Sequence, residues 1–247
     1  MGARARAMVL AAGRGERMRP LTDTKPKPLL EVQGKPLMQW TLESLLREGV
    51  SEVLINTAWL GDQVPALFGD RFASAGSSTS VSLSYSHEGR DFGDALETAG
   101  GIVRALPQLA DVFWVAAGDV FAPGFRFEQG ALDRFAASGR LAHLWLVPNP
   151  AHNPKGDFGI APDGSAVSRP AQGLPSYTFS TIALYRAAFF TSPRCDIAAG
   201  NPTGIRASLA PMLRAAMADG QVSAQLYEGA WTDVGTPQRL AALNAGG

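Results

Sequence analysis

Cysteine is almost missing from this chain. Cys195 is the single thiol in 247 residues, so no disulfide framework or cysteine metal cluster can form within it, which fits a reducing compartment. Histidine is nearly as scarce. His87, His143 and His152 have no mutual spacing that suits a metal or a nucleophile–base pair, and there is no Gly-x-Ser-x-Gly elbow, so covalent catalysis lacks an evident nucleophile. Net charge is absent too: 22 Lys and Arg balance 22 Asp and Glu. No overall field therefore draws the protein to nucleic acid or to a membrane surface. Long apolar runs are also missing. After the charged start MGARARA, the apolar stretch from Met8 stops at Gly13, too short for a signal-peptide core or a membrane span. These absences lead to the expectation of a cytoplasmic protein with a small-molecule partner.

Positive charge is present, but it is local. The stretch 8–38 opens with an apolar run, Met8–Ala12, of the length of a buried strand. A loop follows in which Gly13 and Gly15 alternate with Arg14 and Arg17, and Arg19, Lys25 and Lys27 add further charge. Glycines allow close backbone approach, and a turn after a strand presents free N–H groups, so phosphate oxygens are the natural ligand. The loop is not a P-loop, since no Gly-Lys-Ser/Thr ends it, and Met18 stands where a dinucleotide fingerprint needs its third glycine.

The rest of the first 150 residues alternates between two periodicities. Helical spacing covers 36–48, a short piece at 60–70, 96–106 and 127–138. Apolar or alternating strand patterns cover 51–58, 77–88 (as an exposed edge), 112–119 and 141–149. Such alternation predicts an α/β fold with a parallel sheet and helices on both faces. Residues 151–170 are turn-rich, with short strand candidates near Gly159 and Val167. Strands at 178–185, 225–227 and 230–233 and helices at 208–218 and 236–244 complete the chain. The reading is one domain, with residues 1–150 as its first half. Residues 151–247 form a small subdomain on the same sheet, a second wall to a cleft.

Two acids stand out. Asp119 ends a buried strand in Ala-Gly-Asp-Val, where open parallel sheets place their ligands. Asp233 lies in Trp-Thr-Asp-Val-Gly-Thr near the far end of the chain. Either alone reads as a turn or cap residue. Together they matter only if the fold unites them.

Taken as a string, Ala12-Gly13-Arg14-Gly15-Glu16-Arg17-Met18, Pro20-Leu21-Thr22, Pro26-Lys27-Pro28-Leu29 and Gly34-Lys35-Pro36-Leu37 resembles the signature of the sugar-nucleotide nucleotidyltransferases. Ala11-Ala12-Gly13 departs from that signature's Ala-Gly-Gly. Asp119 and Asp233 match the family's two metal-binding acids, with Ala117 in place of a polar residue. The resemblance implies a Rossmann-like, GT-A-like sheet with residues 1–150 as the nucleotide-binding half and 151–247 as the sugar-binding and metal-completing half. It also implies a magnesium ion held by Asp119 and Asp233, and transfer to a sugar 1-phosphate with loss of pyrophosphate. By the same resemblance Arg17 and Lys27 carry catalysis, and Ala11, Ala12, Gly13, Arg14 and Gly15 hold the nucleotide. Glu97, Thr98, Ala99, Gly100 and Gly101 correspond to a Leu-Gly-Thr-Ala-Gly run that lines the base, with Glu97 replacing a glycine. An inserted GRDFGDA separates this run from Glu88 and is expected to narrow the base pocket against purines.

Glu97-Thr98-Ala99-Gly100-Gly101, Trp59-Leu60-Gly61 and Asn149-Pro150…Gly156-Asp157-Phe158 together resemble one branch, the N-acetylmuramate-1-phosphate uridylyltransferases of peptidoglycan recycling. The partners implied are UTP and N-acetylmuramic acid 1-phosphate, with Asn149, Lys155, Asp157, Gly159 and Arg169 toward the sugar phosphate. Larger relatives use the lysine of a Glu-Lys-Pro there. Ser168-Arg169-Pro170 takes its place here, so Arg169 or Lys155 would supply the charge. Two alternatives stay open: a mannose- or heptose-1-phosphate guanylyltransferase, and a regulatory subunit that binds nucleotide sugars without turnover.

Overall fold

The computed structural model describes residues 5–76, 78–170 and 174–246. The first four residues of the charged start and Ser77, which begins the alternating run, lie outside them. Among the described residues ten strands build the main sheet: β1 (Ala5–Ala11), β2 (Glu52–Thr57), β3 (Val81–His87), β4 (Leu109–Ala117), β5 (Ala142–Val147), β6 (Phe158–Ile160), β7 (Ser176–Arg186) and β8 (Val222–Leu226), with the two-residue strands Arg71–Phe72 and Ala166–Val167 at its edges. β1 lies at the centre, parallel to both β2 and β4, and β3 runs parallel to β2. The alternating strand is thus near the edge as expected, but the short strand Arg71–Phe72 caps its start in antiparallel register.

Beyond β4 the sheet changes direction. β7 runs antiparallel between β4 and β5, its first residues also pair with β6, and β8 lies parallel to β5. The chain after residue 150 is therefore woven into the sheet rather than set beside it. β8 begins three residues before the strand expected at 225, because Val222 and Ala224 are buried under α4.

Five longer helices pack around the sheet, α1 (Leu37–Arg47), α2 (Glu97–Ala105), α3 (Gln129–Ala137), α4 (Leu209–Ala218) and α5 (Pro237–Ala245), with short helices at Gln63–Phe68, inside the piece expected at 60–70, and at Glu88–Phe92. Side chains alternate across β1 and β4, so each strand feeds both faces. Met8, Phe113, Val115 and Tyr185 pack with Ile102, Val103, Leu209 and Leu213 on one side. Val9, Trp114, Trp145 and Phe125 pack with Leu42, Leu45 and Leu132 on the other. Burial of each large side chain contributes roughly 1.5–3 kcal/mol. A third, smaller cluster sets the site: Met18, Leu37, Phe121, Val234 and Leu240 pack together, which ties the glycine-rich loop to the segments that bear the two acids. Among the described residues no helix is long and apolar enough to cross a membrane.

Candidate active site

At the C-terminal ends of β1, β2 and β4 a cleft of about 870 Å³ opens, within the size range of small-molecule sites. Its lower wall is the loop after β1. Gly15 has φ 67°, and a side chain there would come within 3.1 Å of Thr22 and 3.2 Å of Lys27. Thr22 Oγ1 donates to Gly15 O at 2.9 Å and fixes the turn. Ala11, Ala12, Gly13, Gly15 and Arg17 all line the cleft. Arg17 is exposed and has no ion pair or hydrogen bond among the described residues. Arg14 is placed differently: its guanidinium lies 3.5 Å over the Trp59 ring and donates to Thr22 O at 3.1 Å. It braces the loop from outside the cleft.

The fold unites the two acids. Residues Val120–Phe121 pair antiparallel with Thr232–Asp233, with Asp233 opposite Val120, and Val234 N–H donates to Asp119 O at 3.2 Å. Lys27, buried in a short turn, places Nζ 2.6 Å from Asp119 Oδ2 and 3.8 Å from Asp233 Oδ1. Asp233 also accepts from Arg239 Nη1 at 2.8 Å and stands 3.5 Å from His152 Nε2. A side chain on Gly235 would come within 2.9 Å of Arg239 Nη1 and 3.1 Å of the Asp233 carboxylate, so glycine leaves that pair undisturbed.

Is this a fit for magnesium? The donors are two carboxylates around a single cation's position, the hard oxygen ligands that magnesium takes. Among the described residues no cluster of three or more His, Cys, Asp or Glu could hold a metal. An ion held here would need its remaining ligands from phosphate oxygens and water, which is the usual magnesium pattern. The residues fit the ion.

The far wall uses groups that the sequence reading passed over. Asn56, in the otherwise apolar β2, accepts from Ala11 N–H at 2.9 Å and donates to Glu88 Oε1 at 2.8 Å. Glu88 is fully buried, and its Oε2 accepts from Leu96 N–H at 2.8 Å. Burial pushes the Glu88 carboxyl above its ordinary range, against the hydrogen bonds from Leu96 and Asn56 and the charge of Arg104. A polar residue inside an apolar strand was the available signal for Asn56.

Of the expected base-lining run, Glu97 and Thr98 face the cleft, whereas Ala99, Gly100 and Gly101 are buried behind it. The N–H groups of Ala99 and Gly100 both donate to Ala207 O, and a side chain on Gly100 would come within 2.5 Å of Ile205 O. A side chain on Gly101 would come equally close to Glu88. Gly100 thus serves packing between α2 and the 201–207 segment, and Gly101 makes room for the Asn56–Glu88 pair. The Ala11 amide is likewise taken by Asn56. Glu97 itself sits at φ 58°, the left-handed region that favours glycine, with its carboxylate against the Ser208 hydroxyl. The insert 89–95 narrows the cleft only through Ala95; its Phe92 packs on Gly204 and under Arg104.

On the wall expected to meet the sugar phosphate, Asp157 and Phe158 line the cleft. Asp157 Oδ2 accepts from Phe179 N–H at 2.8 Å and Oδ1 from Asn153 at 3.2 Å. Asn149 is a brace between Ser176 O and Thr178 Oγ1, and Gly159 makes room for Pro170 and Val167. Lys155 and Arg169 are exposed and stand outside the cleft lining. A bulge in β7 turns Thr181, at φ 64°, into the cleft, held by Ser180 Oγ donating to Trp145 O at 2.6 Å. Arg214 of α4 also reaches the lining.

The chain matches the nucleotidyl transferase family over residues 6–246. It is 45% identical over 246 residues to the N-acetylmuramate alpha-1-phosphate uridylyltransferase of Neisseria meningitidis, covering 97% of each chain. It is 31% identical to the protein of that name from Caulobacter vibrioides, covering 97% of this chain and 95% of that one. In fold it is similar to a Bacillus anthracis structure assigned as a glucose-1-phosphate thymidylyltransferase. The TM-score is 0.74 at 19% identity, over 97% of this chain and 94% of the other.

Proposed function

This chain belongs to the nucleotidyl transferase family, and on that premise we propose that it makes UDP-N-acetylmuramic acid from UTP and N-acetylmuramic acid 1-phosphate. The observation that carries the substrate choice is the 45% identity, end to end, to an N-acetylmuramate alpha-1-phosphate uridylyltransferase. An oxygen of the sugar phosphate attacks the α-phosphorus of UTP, the bond to the β-phosphate oxygen breaks, and pyrophosphate leaves. No side chain needs to become covalently attached.

Two polyanions must meet in line, so positioning and charge neutralisation supply most of the acceleration. Arg17 and the amides of residues 12–17 cradle the triphosphate. Lys27 meets charge that grows on the α-phosphate and its leaving oxygen. Asp119 and Asp233 would hold magnesium, whose chemistry when bound is to neutralise both phosphates and keep them aligned. Arg239 orients the Asp233 carboxylate. Ala12, Gly13 and Thr98 face the nucleotide, over the Asn56–Glu88 pair that stiffens the end of β1. The product would be a peptidoglycan precursor, and the proposed setting is cell-wall recycling in the cytoplasm.

The test is pyrophosphate release with the four nucleoside triphosphates against a panel of sugar 1-phosphates. UTP with N-acetylmuramic acid 1-phosphate is expected to give the highest kcat/KM. Comparable values for GTP with mannose or heptose 1-phosphate would replace the substrate assignment, and no turnover with any pair would favour a binding subunit.

A further inference from the structure

The cleft contains one cation that the phosphate chemistry leaves unused. Lys27 lies between Asp119 and Asp233, and Arg17 stands free on the triphosphate loop. Arg214 is on another wall, where α4 packs against the β6 hairpin. Its guanidinium lies 5.3 Å from the Phe158 ring centre, and Nη1 donates to Ser168 Oγ at 2.7 Å and Ser168 O at 3.4 Å. It has no acidic partner among the described residues. Stacking and one anchored nitrogen fix the plane of the fork, while Nε and Nη2 keep free donors.

Asp157, which also lines the cleft, forms no ion pair with it among the described residues. Both oxygens of Asp157 are engaged, by Phe179 N–H and by Asn153. The surrounding surface is apolar, from Phe158, Phe179 and Leu213. A flat cation at the edge of an apolar wall suits a small ligand arm that bears a methyl group and a carboxylate, held bidentately.

Resting on the substrate reading above, we infer that Arg214 is the specificity-determining residue for an acidic sugar: it binds the carboxylate of the lactyl ether that distinguishes N-acetylmuramic acid from N-acetylglucosamine. The sugar phosphate, common to both, is met elsewhere.

Arg214→Met keeps the stem on Phe158 and removes the fork, and Arg214→Lys restores charge without the bidentate geometry. The KM for N-acetylmuramic acid 1-phosphate is measured with UTP, and N-acetylglucosamine 1-phosphate is measured as a competitor through its Ki. Arg214→Met should raise the KM roughly 10- to 100-fold, as loss of a charge-assisted hydrogen-bond pair does. The Ki should move less than about twofold, kcat should be nearly unchanged, and Arg214→Lys should recover part of the loss. Equal losses for both sugars would assign Arg214 to the shared phosphate and overturn the inference, as would an unchanged KM. Failure of the wild-type protein to use N-acetylmuramic acid 1-phosphate would instead overturn the substrate reading, before any variant is made.

Discussion

The ammonium of Lys27 lies 2.6 Å from Asp119 and 3.8 Å from Asp233, so one buried cation stands between acids from opposite halves of the chain. With neither substrate present, that cation screens two carboxylates that would otherwise repel. When phosphates arrive, the same three groups are already gathered at the point where charge must be neutralised.

The acids are the first target. Asp119→Asn and Asp233→Asn keep the size and polarity of each side chain but remove a charge from a two-carboxylate site. Each should cut turnover by about 100-fold or more while the folded state persists. Pyrophosphate release at limiting magnesium and a thermal melt measure the two halves of this expectation. Activity near the wild-type level in either variant would show that the acid is not a ligand.

Lys27→Ala separates anchoring from transition-state work. A charge that acts as pyrophosphate departs should lower kcat more than it raises KM, with a total loss on the order of 3 kcal/mol in kcat/KM. The variant also leaves Asp119 and Asp233 facing each other uncompensated, so its melting temperature should drop and added magnesium should restore it more than in wild type. An effect confined to KM would make Lys27 a triphosphate anchor.

The contrast between Asp119 and Gly100 shows where the sequence was readable. Asp119 follows an apolar strand, and Asp233 lies in its own short motif, so local pattern and resemblance both pointed to them. Resemblance alone pointed to Gly100 and Gly101 as ligand-facing, yet the atoms that demand a glycine there belong to Ile205 and Glu88. Contacts so distant in sequence leave no local trace. Arg214 was invisible for a related reason: helix periodicity marks it only as a polar position, and Phe158 and Ser168 alone give it a direction. Strand positions were legible from apolar runs, but the antiparallel insertion of β7 between β4 and β5 depends on pairing that composition does not encode.

Glu97 offers a test of stored backbone strain. Its φ of 58° places a non-glycine residue in the left-handed region at the cleft wall, which costs about 1 kcal/mol. Glu97→Ala loses the Ser208 contact and keeps the strain, whereas Glu97→Gly loses the contact and relieves it. Chemical denaturation should therefore find the glycine variant more stable than the alanine variant by about 1 kcal/mol. Equal stabilities would mean that the left-handed turn carries no cost here. If the Glu97–Ser208 contact also holds α4 against the nucleotide wall, both variants should raise the KM for UTP alike.

The pH dependence of stability should show two opposed contributions that variants can separate. His143 on β5 is half-buried, with Nδ1 2.9 Å from Ser223 Oγ on β8 and its ring edge-on to Trp145. Burial pushes its pKa down to about 4, against about 6.5 in an unfolded chain. Between those values the unfolded state binds more protons, so stability falls as pH drops from about 6.5 toward about 4. Glu88 works the other way: its raised pKa means that the unfolded chain ionises first, so stability is lost as pH rises above the ordinary glutamate range. His143→Gln should remove the first slope and leave the second. Relative to wild type, the variant should gain on the order of 1–3 kcal/mol on going from pH 7 to pH 4, read from urea denaturation at each pH. A difference that stays flat over that interval would mean that His143 charges in the native state as readily as in water, and that β5 and β8 open enough to hydrate it.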